Sequence, residues 1–228
     1  MKERQKELLK NLTNHYIKTA EPVASGFLVG KLKDEVSSAT VRNEMAELEK
    51  AGFIYQPHTS AGRIPTELGY KFYLENFIKG KKLQSAIAEK IKKQKKIMGK
   101  DVRQGLKEIA KIVAEASGDA VIVAFAENDV YYTGLSNLFS KPEFEERNLI
   151  FELSSVLDEL DKVIFNIFKE RIESKDIKIE IGKENRFSEA CGSAMIPVKN
   201  HLIVILGATR MDYENNLSLL KFLTEELN

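Results

Sequence analysis

The segment SSATVRNEMAELEKAGF, residues 37–53, constrains the architecture of this 228-residue chain more than any other stretch. Ser37 or Ser38 suits an N-cap, because a hydroxyl there accepts one of the unpaired first-turn N–H groups. Val41, Met45 and Leu48 recur at helical spacing and define one buried stripe. Gly52 is placed to end the helix in the left-handed conformation. The chain then passes directly into FIYQPHTSAGRIPT, where an apolar start, a turn-rich middle and a short return through Arg63 and Ile64 predict a hairpin with a long tip. A hairpin in that position predicts a wing.

Upstream, Leu8, Leu9, Leu12, Tyr16 and Ile17 predict a helix from about Glu3 to Lys18, closed off by Pro22. Ser25 is placed to cap a short second helix carrying Phe27, Leu28 and Leu32 and ending near Lys33. Three helices followed by a hairpin match the winged helix-turn-helix plan, in which the last helix enters the major groove of DNA. The side of that helix away from its stripe displays Ser38, Thr40, Arg42 and Asn43. They lie at the end where backbone N–H groups and the positive dipole attract phosphate. Arg and Asn also pair bidentately with guanine and adenine edges.

Thr66 is placed to cap a further helix, ELGYKFYLENFIKG, with Leu68, Phe72, Tyr73, Phe77 and Ile78 inward. Residues 81–100 hold eight lysines against Glu89 and predict a basic linker helix. The expected organisation is therefore a DNA-binding unit over 1–80, a linker over 81–100 and a regulatory or dimerising unit over 101–228. Charge follows the same division. Residues 1–100 carry a net +9 and the remainder −8, so the total of +1 conceals a basic half suited to a polyanion and an acidic half that is not.

Other classes of function find little support. No run of about 18 apolar residues predicts a membrane span, and MKERQKELLK is no signal peptide, so a cytoplasmic location is expected. One cysteine, Cys191, and three scattered histidines, His15, His58 and His201, give no metal-ligand spacing, and neither metal nor cofactor is expected. His58 and Ser60 lie close together, but no acidic residue falls between Phe53 and Pro65 and no strand-turn-helix context surrounds them, so the chain is not expected to be an enzyme.

From residue 101 the pattern becomes mixed. Leu106, Ile109, Ala110, Val113 and Ala114 predict a helix. AVIVAFA and VYYTGLS predict strands, Glu143 to Phe168 one long helix, then strands at Ile177–Ile181, Ser193–Val198 and Leu202–Leu206, and a closing helix over Asn215–Leu227. The class expected is α+β. In GATRMDY, residues 207–213, Arg210, Asp212 and Tyr213 either line a ligand pocket or interface or tie a strand to the last helix.

The stretches YIKTAEPVAS, SSATVRNEMAELEKAGF and PHTSAGRIPTELGYKFY resemble the N-terminal winged helix of the heat-inducible transcription repressors, the HrcA family. GLSNLFSKPEF, IEIGKEN and GATRMDY are similar to that family's later signatures, in the same order. The resemblance implies a winged helix-turn-helix followed by a GAF-like α+β domain. It implies a homodimeric repressor of chaperone genes, bound to an inverted-repeat operator in double-stranded DNA and kept active by a GroEL-type chaperonin. A winged-helix regulator answering to a small molecule, and a protein-interaction module without DNA binding, are the alternatives. Family members usually carry a dimerising insertion in the C-terminal region; here ASGDAVIVAFAENDVYYTGLSNLF runs on without one.

On the family pattern, Ser38 and Thr40 are expected at phosphates, and Arg42 and Asn43 at base edges or adjacent phosphates. In the wing, Gly62 is expected to permit a tight tip and Arg63 to enter the minor groove. His58, Thr59 and Ser60 offer hydrogen bonds to phosphate oxygens, and Pro57 and Pro65 stiffen the loop.

Overall fold

The apolar stripe of the first helix organises everything up to residue 79. A computed structural model describes residues 1–32 and 36–228, which divide into two compact units, Met1–Lys79 and Gly80–Asn228. In the first, α1 (Glu3–Thr19) lays Leu8, Leu9 and Leu12 against Leu28 of α2 (Ser25–Val29) and Val41, Met45 and Leu48 of α3 (Ser38–Lys50). Ala20 closes α1 in the left-handed conformation. The expected cap Ser25 is instead the first helical residue of α2, and the expected end near Lys33 lies outside the described residues.

Ser37 caps α3, its Oγ accepting from the Thr40 N–H at 3.1 Å, and Gly52 follows the helix at φ +79°. The hairpin is β1 (Ile54–Tyr55) against β2 (Ile64–Pro65), antiparallel, with Tyr55 opposite Ile64. Thr66 then caps α4 (Glu67–Phe77), its Oγ1 accepting from the Gly69 N–H at 3.1 Å.

The second unit is α+β. Its helices begin with α5 (Ser85–Met98) and α6 (Val102–Ser117); β3 (Ala120–Ala126), β4 (Asp129–Thr133) and α7 (Leu135–Phe139) follow. After α8 (Arg147–Asp158) and α9 (Leu160–Arg171) come β5 (Lys178–Ile181), β6 (Cys191–Val198), β7 (His201–Ala208) and α10 (Tyr213–Leu227). The five strands form one antiparallel sheet in the order β4-β3-β7-β6-β5. Ala120, Ile122 and Ala124 of β3 join Leu153, Leu160, Ile164 and Ile167 in one core. Val121 and Val123 alternate to the opposite face, where α6 and α10 pack. Covering on both faces is why AVIVA reads as an unbroken apolar run.

Three sequence expectations change. The basic helix α5 packs on α6 with Ile91 fully buried, so it belongs to the second unit. VYYTGLS is a strand only to Thr133; Gly134, at φ +77°, turns the chain into α7. The single long helix is a 3-10 turn (Pro142–Glu145) followed by α8 and α9, broken at Glu159. Neither proline nor glycine causes that break. Asp158, Glu159 and Asp161 are unfavourable at the end of one helix and favourable at the start of the next, where the dipole is positive.

Asp119, between α6 and β3, is almost completely buried. Its Oδ2 accepts from the Asn216 Nδ2 at 2.9 Å, and the Lys141 ammonium lies 3.7 Å from its Oδ1. Burial pushes this carboxyl above the usual carboxylate range, against the lowering pull of the Asn216 amide and Lys141. With the native pKa above the unfolded one, the group's contribution to stability falls as pH rises from the ordinary carboxylate range through its raised native value. The Asp119 Oδ1 and the Asn216 Oδ1 both lack hydrogen-bond partners. We therefore expect Asp119→Asn to match the parent in acid and to exceed its stability increasingly toward neutral pH, as measured by urea unfolding across pH. A difference independent of pH would refute the assignment.

Candidate nucleic-acid interface

The exposed side of α3 is set by what its other sides hold. Val41, Met45 and Leu48 face the core, and two of the three acidic side chains are drawn toward α1. Buried Glu44 accepts from the Arg4 Nε at 2.8 Å, and Glu47 accepts from the Gln5 Nε2 at 2.6 Å and from Lys2. Glu49, the third, accepts from the Arg63 Nε at 2.9 Å. Beside the exposed Glu47, Ala39, Arg42, Asn43, Ala46 and Lys50 are exposed, three or four residues apart along one face. Among the described residues, no hydrogen bond or ion pair occupies the Arg42 or Asn43 side chain. A guanidinium and an amide on a face of small residues are free to meet the donors and acceptors of a base edge. Ser38 and Thr40 are half-buried in the first turn, with the Thr40 hydroxyl 3.0 Å from that of Ser37.

The loop between β1 and β2 is braced from within. The Gln56 Nε2 donates to the Thr59 carbonyl at 3.0 Å and to the Ala61 carbonyl at 2.8 Å, and the Ala61 N–H donates to the His58 carbonyl at 2.9 Å. Pro57, His58, Thr59 and Ser60 are the exposed residues, and they form the tip.

Gly62 and Arg63 are not at that tip. Arg63 exchanges two backbone hydrogen bonds of 2.9 Å with Val23, an isolated antiparallel bridge that fastens the segment before α2 to the base of the hairpin. Gly62 lies beside that bridge and is half-buried. A Cβ there would come within 2.7 Å of the Pro22 carbonyl carbon and closer still to the Val23 carbonyl, and the glycine serves close approach rather than a tight turn. The Arg63 side chain runs back along the base of the wing to Glu49. Sequence reading missed three participants here: Val23, Glu49 and Gln56. Only Glu49 leaves a sequence signal, as an acidic residue on the helix that the hairpin follows.

Arg210, Asp212 and Tyr213 each make contacts within the second unit. Arg210 pairs with Glu143, and Asp212 caps α10 by accepting from the Asn215 N–H at 3.1 Å. Tyr213 is fully buried; its hydroxyl donates to the Thr209 carbonyl at 2.6 Å and occupies the space left by Gly192. Asp212 and Tyr213 thus join the end of β7 to α10, whereas Arg210 reaches the 3-10 turn at Pro142–Glu145. Burial pushes the Cys191 thiol up to about 12, too high for a nucleophile near neutral pH. Among the described residues no cluster of His, Cys, Asp and Glu could hold a metal ion.

Residues 69–216 match the family model described as the HrcA protein C terminal domain. A heat-inducible transcription repressor HrcA from Caldanaerobacter subterraneus subsp. tengcongensis is 27% identical over 331 aligned positions, which cover 99% of this chain and 96% of the relative. Because that alignment is longer than this chain, the relative contains segments that this chain lacks. The repressor of the same description from Pelotomaculum thermopropionicum is 39% identical over 121 residues, 53% of this chain and 35% of the relative. A crystal structure described as that of a hypothetical protein superposes with a TM-score of 0.75 at 19% identity, covering 100% of this chain and 96% of that one, and so shares its fold.

Proposed function

This chain belongs to the HrcA family of heat-inducible transcription repressors, and from that premise we propose that it represses transcription by binding double-stranded operator DNA through α3 and the β1–β2 wing. The observation that carries this reading is the exposed face of α3, where Arg42 and Asn43 stand unengaged while Glu44, Glu47 and Glu49 are held by Arg4, Gln5 and Arg63. Arg42 pairs with a guanine edge and Asn43 with an adenine edge. Ser38 and Thr40 approach phosphate at the helix N-terminus, and His58, Thr59 and Ser60 reach phosphates from the wing tip. The operator is an inverted repeat bound by a homodimer, its half-sites one or two helical turns apart. Chaperonin availability tunes the activity of the bound repressor.

Arg63 takes a different part from groove insertion: it fixes the wing against α3. Its pair with Glu49 is partly exposed, so Arg63→Ala and Glu49→Ala should each lower stability by only about 0.5–1 kcal/mol. Both variants should weaken operator binding to a similar degree, and the double variant no further than either alone. Loss of affinity in Arg63→Ala with none in Glu49→Ala would return the guanidinium to the minor groove.

The reading is tested by titrating inverted-repeat and scrambled DNA at two salt concentrations. A repressor prefers the inverted repeat, and its log affinity falls linearly with log salt, the slope shrinking by about one for each phosphate-contacting side chain removed. Equal and weak binding to both DNAs would reject it. Repeating the titration with GroEL tests the chaperonin link separately.

A further inference from the structure

Helix α8 has two unlike sides. Leu149, Leu153, Val156 and Leu157 pack into the core beneath the sheet. On the outward side, Phe151 is 72% exposed and Ile150 37%. The outward stripe reads Arg147, Phe151, Ser154 and Ser155, Asp158, at steps of three and four residues. Among the described residues Arg147 and Asp158 make no ion pair. Glu152, the acid nearest the phenylalanine, is turned aside to accept from the Ser188 hydroxyl at 2.9 Å, and the Ser155 hydroxyl is satisfied by the Phe151 carbonyl at 2.9 Å. Arg147 at the start of α8 and Asp158 at its end also both oppose the helix dipole. Helical stability therefore does not explain Arg147, and it explains Asp158 only through the start of α9.

We propose that this stripe is covered by the α8 of a second copy of the chain, the two helices running antiparallel about a two-fold axis. Laid against itself in reverse, the stripe sets Arg147 opposite Asp158 and Phe151 opposite Ser154 and Ser155. Charge meets opposite charge, and a large side chain meets small ones, twice per dimer. A parallel pairing would instead set Arg147 on Arg147 and Asp158 on Asp158. Such self-complementarity is what an isologous contact requires. It also supplies each unpaired charge with a counter-charge. A single helix pair is smaller than the roughly 1,200 Å² of a stable interface, so the solution dimer is weak and is completed when two half-sites hold two copies together. The inference rests on the homodimeric reading above and names the surface that serves it in a chain without the additional segments of its longer relatives.

The test is the mass of the full chain by sedimentation over a concentration series, with and without two-half-site DNA. The variants are Phe151→Glu, Arg147→Asp, Asp158→Arg and the double reversal, with thermal melts to confirm folding. The single variants should weaken self-association at least about tenfold, equivalent to about 1.4 kcal/mol. The double reversal should restore it. Each reversal suits the dipole of α8 better than the native residue, so a loss of dimer cannot be ascribed to fraying of α8, and the thermal melts report any cost of Asp158→Arg to the start of α9. A parent that dimerises together with a Phe151→Glu variant that dimerises equally well would overturn the α8 interface and leave the homodimeric repressor standing. A double reversal that fails to rescue would do the same. A parent monomeric even on two half-sites would overturn the dimer and this interface with it.

Discussion

Gly62→Ala is expected to cost the N-terminal unit about 2–3 kcal/mol, the upper range for forcing one extra carbon into a closed contact. The added methyl group would meet backbone, the Pro22 and Val23 carbonyl groups, and no side chain can swing aside to admit it. Relief requires the Val23–Arg63 bridge to open, with loss of two hydrogen bonds that bind the wing to the segment ahead of α2. For a unit of this size the melting temperature should fall by roughly 10 °C or more, at about 4–8 °C per kcal/mol. Operator affinity should fall as well, because the displaced hairpin carries His58, Thr59 and Ser60 away from where α3 presents Arg42. Differential scanning calorimetry resolves the melting of the unit. A variant as stable as the parent would mean that the bridge is not a fixed part of the fold.

The second large effect falls on binding and leaves folding untouched. Arg42→Ala and Asn43→Ala remove exposed side chains with no partner among the described residues, so each should change stability by less than about 0.5 kcal/mol. Each should nonetheless cost about 1–3 kcal/mol of discrimination per base contact, and a homodimer makes every contact twice. Operator affinity should thus fall by at least about tenfold for either variant, while affinity for scrambled DNA falls little for Asn43→Ala and somewhat for Arg42→Ala, which also removes a charge. Competition titrations with the two DNAs separate these outcomes. Equal losses on both DNAs would place Asn43 at phosphate and leave base reading to another residue.

Local chemistry made much of the first unit legible. A serine cap, a stripe at Val41, Met45 and Leu48 and a terminal glycine all act within a few residues of one another, and α3 forms where they indicate. Thr66 and α4 were readable on the same grounds. The wing was readable as a hairpin, but not where its tip lay. That depends on Val23, some forty residues away, whose pairing with Arg63 draws Gly62 and Arg63 down to the base. Glu159 shows a similar limit. The apolar stripe continues through it without proline or glycine, and the only local mark of the restart is the acidic run Asp158, Glu159 and Asp161, which a reading by apolar periodicity passes over. In α5, Ile87 and Ile91 do lie four apart, yet eight lysines over 81–100 obscured a face that packs on α6. GATRMDY carried residue types that serve ligands and folds equally, and its contacts with Glu143 and Gly192 come from parts of the chain that the motif itself does not reveal.

The carboxylates of α3 have a consequence for temperature. Taken alone, Ser38–Lys50 carries three glutamates against Arg42 and Lys50, and such a helix would be repelled by a phosphate backbone. Packing against α1 and the wing reverses that sign by supplying the cations Arg4, Lys2 and Arg63 to Glu44, Glu47 and Glu49, which leaves Arg42 and Lys50 in excess. On the proposed reading, attraction to DNA is therefore a property of the assembled unit and not of α3 alone. Warming that loosens α1 from α3 would turn an attractive surface into a repulsive one before the helix itself had melted, so release from DNA would be steeper in temperature than the loss of helical structure.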